Sequence, residues 1–121
     1  MKLEKYSFGT GDRFGKQGNP QLQAIRKAKK QGVDIAIVWN KSHREHLIVG
    51  TSQVDVRREA DIAVKNSSWS GSYYVDADHI GLSNVDNFLD HSDFFTLDVA
   101  DYIGDMADEK DLESFVDTCS I

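Results

Sequence analysis

Asp76, Asp78 and His79 crowd ionisable chemistry into one short stretch, Val75-Asp76-Ala77-Asp78-His79-Ile80. The stretch follows the β-prone pair Tyr73 and Tyr74, so it reads as the end of a buried strand running into a loop. Carboxylates and an imidazole are costly to desolvate there unless they are paired or metal-bound. Alternation puts Asp76 and Asp78 on one face and His79 at the strand exit. A carboxylate so placed can take a proton, and a neutral imidazole can bind a divalent cation. A purely structural reading is also open: Asp76 caps a turn, Asp78 pairs with a base, and His79 is an ordinary half-buried histidine.

Ionisable pairs recur after other strand-like runs. Asp12 and Arg13 lie in Gly9-Thr10-Gly11-Asp12-Arg13-Phe14-Gly15. The glycines allow tight turns or close backbone approach to a ligand, but their spacing is not that of a dinucleotide fingerprint. A structural Asp12–Arg13 pair that locks the loop is the alternative. Arg44 and Glu45 follow the apolar run Ile35-Ala36-Ile37-Val38-Trp39, flanked by His43 and His46. Those histidines could meet on one helical turn, although surface histidines around an Arg–Glu pair are commoner. Arg44 and Glu45 suit substrate contact better than metal binding. Asp98 and Asp101 follow Phe94-Phe95-Thr96-Leu97.

The elements that must position these groups are strands alternating with helices. Strands are expected at 6–8, 35–39, around 73–78 and at 94–97. The run at 35–39 is apolar throughout, as in a strand covered on both faces. A first helix is expected to start at Asn19-Pro20, carry Leu22 and Ile25 inward, and stop at Gly32. A second spans about 52–65, with Val56, Ala60, Ala63 and Val64 inward. A short helix capped by Ser83 would bury Val85, Phe88 and Leu89. A last one, about 109–118, would use Leu112, Phe115 and Val116. This order implies an α/β fold of four βα units on a parallel sheet, like half of a TIM-type (β/α)8 barrel. Ligands of such folds bind at the carboxyl ends of the strands, so the ionisable exits should converge. A complete barrel takes about 250 residues. Half of one has open sheet edges, which invite a homo-oligomer.

The chain has 121 residues, enough for a single α/β domain over 1–121. Its net charge of −6 and lack of a dense basic run make nucleic acid a poor partner. No signal peptide or membrane span is expected, and the lone Cys119 suits a reducing, cytoplasmic setting.

Four blocks carry a resemblance: Ser7-Phe8-Gly9-Thr10-Gly11-Asp12-Arg13, Arg44-Glu45, Asp76-Ala77-Asp78-His79, and Phe95-Thr96-Leu97-Asp98. In these, and over nearly its whole length, the sequence resembles the tagaturonate/fructuronate epimerase family. Members are bacterial, metal-dependent enzymes of hexuronate breakdown that interconvert D-tagaturonate and D-fructuronate. The resemblance implies Asp78 as proton acceptor and His79 as a ligand of a divalent metal cation. It implies a small-molecule sugar acid, a ketouronate, as partner. Asp12, Arg13, Arg44 and Glu45 are then the substrate-binding candidates. Family members are several times longer, and their proton donor and remaining metal ligands lie beyond the matching part. The chain is therefore expected to be the N-terminal portion of such an enzyme and inactive, or nearly so, by itself. The alternative is a non-catalytic half-barrel module that binds a sugar acid or a partner protein, in one form as a homodimer.

Overall fold

The computed structural model describes residues 3–119. Four strands form one parallel sheet in sequential order: β1 Ser7–Gly11, β2 Ala36–Ser42, β3 Tyr73–Ile80 and β4 Phe94–Leu97. The α/β class and the parallel sheet are as the sequence indicates. Two long helices, α1 Gly18–Lys30 and α3 Gln53–Asn66, pack on the same side of the sheet. Leu22 and Ile25 of α1 and Ala60 and Ala63 of α3 meet Ile37, Trp39 and Val75 there. Burying a Leu or Ile side chain stabilises by about 1.5–3 kcal/mol, so this layer anchors β2 and β3.

Gly18 permits the close packing of α1 on α3, because a Cβ there would come within 2.7 Å of Ala63 Cβ. Gly32, at φ +86°, ends α1 while Val33 N donates to Ala28 O at 3.0 Å. The helix starts earlier than the Asn19-Pro20 signal suggests, with Gln17 as the flanking residue. Asn19 instead accepts a hydrogen bond from Ser67 Oγ at 2.9 Å.

On the opposite face, Ala36, Val38 and Tyr74 cluster with Phe94, and among the described residues no helix residue takes part. The Tyr74 and Phe94 rings meet edge to face, 5.2 Å between centroids. This open face carries the even-numbered residues of β2 and, up to Asp78, of β3, Asp76 among them.

Three differences from the expected elements follow from tertiary context. An additional helix, α2 His43–Val49, occupies the β2 exit. The short helix after β3 is replaced by 3₁₀ turns at Val85–Asn87 and Leu89–His91; Phe88 is buried, but Leu89 is 54% exposed. Asn84, not Ser83, closes the first turn, accepting from Gly81 N at 3.0 Å. Finally, α4 Glu109–Cys119 forms as expected, yet Leu112, Phe115 and Val116 are exposed. Their periodicity makes a helical stripe, but among the described residues the sheet has no strand beyond β4 for it to cover.

Candidate functional site

The site begins with an irregularity in β3. Ala77 pairs with Phe95 and Ile80 with Leu97, so both Asp78 and His79 stand opposite Thr96 alone. This is a β-bulge. His79 takes the left-handed conformation, φ +57°, which makes the extra residue fit. Such a backbone costs an L-residue about 1–2 kcal/mol and recurs at functional positions. After the bulge Ile80 returns to the helix side, buried with Ala77 and Phe88. Asp78 and His79 are thereby left at the exit with their side chains close together.

His79 lies between two carboxylates. Its Nδ1 is 3.3 Å from Asp98 Oδ2 and its Nε2 is 3.8 Å from Asp78 Oδ2. The ring is 61% exposed, so it is open to a ligand rather than sealed in the core. Asp98 is fixed through Oδ1, which accepts from Ala100 N at 3.2 Å, and its own N–H donates to Ile80 O at 3.0 Å. The Ala100 amide, and then His79, hold the Asp98 carboxyl below the usual carboxylate range. Asp101 sits exposed on the following 3₁₀ turn, Ala100–Tyr102.

Asp76 shares the open face but is buried. Its Oδ2 accepts from Thr96 Oγ1 at 2.8 Å, while its Oδ1 has no partner among the described residues. Burial pushes its carboxyl up, Asp78 adds to the rise, and the Thr96 hydrogen bonds oppose it.

The first two strand exits form a second linked pair. Arg13 Nε donates to Glu45 Oε1 at 3.0 Å. The alternative of an Asp12–Arg13 lock is not what forms: Asp12 Oδ2 accepts from Gln17 N and braces the entry to α1. Glu45 also closes a capping box: Ser42 N donates to Glu45 Oε2 and Glu45 N to Ser42 Oγ, each at 3.2 Å. Burial raises the Glu45 carboxyl, but the Ser42 amide and Arg13 outweigh it and hold the group low. Arg44 is exposed and makes no side-chain hydrogen bond or ion pair with the described residues. The pairing of Ser42 with Asp78 sets the two linked pairs side by side at neighbouring strand tips.

A buried polar chain lies behind the exits. Lys41 Nζ donates to Thr51 Oγ1 at 2.9 Å, and Thr51 Oγ1 is 3.0 Å from His46 Nδ1. His46 Nε2 is 3.0 Å from Gln53 Oε1. Gln53 Nε2 donates to Asp76 O at 3.1 Å and to Ser92 Oγ at 2.9 Å. Burial lowers both Lys41 and His46. His46 is therefore not the surface histidine expected from its polar neighbours. His43 packs against the Phe88 ring, 6.0 Å between centroids. The sequence carried one usable signal for this region, the Ser42-x-x-Glu45 capping box, which announces α2. Nothing local announces the links through Gln53.

A cavity of about 310 Å³ opens on the helix side of the sheet, lined by Asp12, Lys16, Trp39, Lys41, Asp55 and Arg58 among others. Asp78 and His79 do not line it. Among the described residues no group of three His, Cys, Asp or Glu side chains is placed to hold a metal ion. His79 Nε2 is a suitable donor, but a protein metal centre takes three or four. The residues present thus fit only part of a shell. Among the described residues no helix is long and apolar enough to cross a membrane.

Comparison with known proteins follows the same lines. The family model of the UxaE tagaturonate epimerases matches residues 1–120. The native crystal structure of the fructuronate-tagaturonate epimerase UxaE from Cohnella laeviribosi superposes with a TM-score of 0.72 at 25% identity, over 97% of this chain and 24% of that one. A crystal structure of the same epimerase with two glycerols gives 0.70 at 24% identity, over 98% and 25%. No curated protein sequence matches the chain. The chain spans about a quarter of the length of these epimerases. With its family match running over residues 1–120, the chain belongs to the tagaturonate epimerase family.

Proposed function

We propose that this chain contributes the β3-exit part of the active site of a divalent-metal-dependent epimerase acting on a ketouronate, a small sugar acid. The observation that carries this reading is the bulge that turns Asp78 and His79 out together beside Asp98. Asp78 takes a proton from the substrate. Acid–base epimerisation needs a second proton-handling group on the other side of the substrate. That group, and the metal ligands missing here, come from protein beyond the length this chain shares with its relatives. His79 would hold the cation through its Nε2. When bound, the cation supplies polarisation of the substrate's carbonyl and hydroxyl oxygens. Arg44, without an ion pair among the described residues, can grip the uronate carboxylate with both prongs of its guanidinium. Arg13 keeps its terminal nitrogens for the same role, with Glu45 steadying it. Asp12 shapes the loop that carries Arg13. The sheet is half of a (β/α)8 barrel in this reading, and its open face becomes the barrel interior once β1 and β4 are paired.

A second reading, a non-catalytic half-barrel that binds a sugar acid or pairs with a second copy through those edges, is favoured by the incomplete metal shell. One assay tests the catalytic reading: turnover that depends on Asp78 supports it, and none at all favours the second. Interconversion of tagaturonate and fructuronate is measured for the chain with added Mn²⁺, beside Asp78→Asn and His79→Ala. The expected result is trace turnover at most, reduced by about 10²–10⁴-fold in Asp78→Asn. Full turnover that survives Asp78→Asn rejects Asp78 as the proton acceptor.

A further inference from the structure

Asp98 enters the site from the β4 exit and has no part in the reaction described above. A neutral imidazole carries one proton, and the partner of one nitrogen decides the state of the other. His79 Nδ1 is within hydrogen-bond distance of Asp98 Oδ2, at 3.3 Å. His79 Nε2 is beyond that distance from Asp78, at 3.8 Å. An ionised carboxylate only accepts, so the bond at Nδ1 requires the ring proton there. Asp98 is itself immobilised by its contacts with Ala100 N and Ile80 O. The His79 backbone is set by the bulge. Both ends of the contact are therefore held by backbone.

We propose that Asp98 is a positioning residue, whose carboxylate fixes His79 as the Nδ1–H tautomer and so presents the Nε2 lone pair on the side of Asp78. Histidines that bind metals are commonly oriented by such a carboxylate on the other ring nitrogen. The functional meaning of the tautomer rests on the reading of His79 as a metal ligand. The tautomer itself does not.

Long-range ¹H–¹⁵N spectra of the labelled chain test this at a pH where the ring is neutral, with His79→Gln assigning the signals. The wild type is expected to show a pyrrole-type Nδ1 and a pyridine-type Nε2 at His79. Asp98→Ala, verified as folded by circular dichroism, is expected to shift His79 toward the Nε2–H form and leave His43, His46 and His91 unmoved. A wild-type His79 already in the Nε2–H form overturns the proposal without any variant. An unchanged tautomer in folded Asp98→Ala overturns it too. Zn²⁺ alone is then added as a probe. It is expected to move Nε2 first and to bind about 10–100-fold more weakly to Asp98→Ala. A first response at Nδ1 overturns the proposal. No response in a wild type of the expected tautomer counts against the metal reading and leaves the tautomer assignment upheld.

Discussion

Ala77 and Ile80 are both buried on the helix side of the sheet, although regular alternation would put them on opposite faces. The bulge between them absorbs the odd interval, and His79 carries its backbone cost. The core thus needs Ile80 inward, and Asp78 and His79 are displaced to the exit as a consequence. Packing and chemistry at this strand end are one arrangement.

The strain at His79 can be measured directly. Glycine accepts a positive φ, whereas a β-branched residue does not. His79→Gly should therefore match or exceed the wild type in stability. His79→Val should fall about 1–2 kcal/mol below His79→Gly in urea denaturation. Equal stability of the two variants would show that the bulge is not fixed as described.

Asp76 gives a pH signature. Burial, with Asp78 adding, raises its folded-state carboxyl above the ordinary 3.8. The folded state then binds the proton more tightly than the unfolded chain. Stability is full below the unfolded value and is lost as pH rises through the folded one. Asp76→Asn should remove this loss and gain on the order of 1 kcal/mol at neutral pH, since it replaces a buried carboxylate with a partnerless oxygen. Chemical denaturation between about pH 4 and 7 checks the slope.

His46 gives the opposite slope. Burial lowers it from 6.5, so the folded state prefers the neutral ring. The unfolded chain binds the extra proton first, and stability falls as pH drops below the unfolded value. Gln53→Ala would strip the partner from His46 Nε2 and from the Asp76 carbonyl. A cost of about 2–4 kcal/mol is expected, from groups left unsatisfied in the core. A loss below about 0.5 kcal/mol, the range of ordinary surface changes, would mean the chain of hydrogen bonds is not formed.

The sequence made the sheet legible because its signals there are local. The apolar run ending at Trp39, the tyrosines before Asp76 and the turn residues between them are readable one window at a time. The exit positions of Asp12, Arg13, Arg44, Glu45, Asp78, His79 and Asp98 followed from that frame. The bulge did not, because it is set by the contact of Ile80 with Phe88, a residue outside β3. The burial of His46 likewise depends on Gln53, on the next helix, and on Phe88, distant in sequence. At α4 the periodicity of Leu112 and Phe115 makes a helical stripe, but the two side chains are exposed, since a stripe is buried only where another element meets it.

The central claim is that the β3 bulge builds the cation-facing end of this site. Paramagnetic broadening of amide signals by substoichiometric Mn²⁺ tests it most directly. Broadening is expected to centre on residues 77–80 and 96–99 and to be abolished by His79→Ala. Broadening centred instead on the acids around the helix-side cavity, Asp12, Asp55 and Glu59, or broadening at β3 that His79→Ala leaves intact, would contradict it.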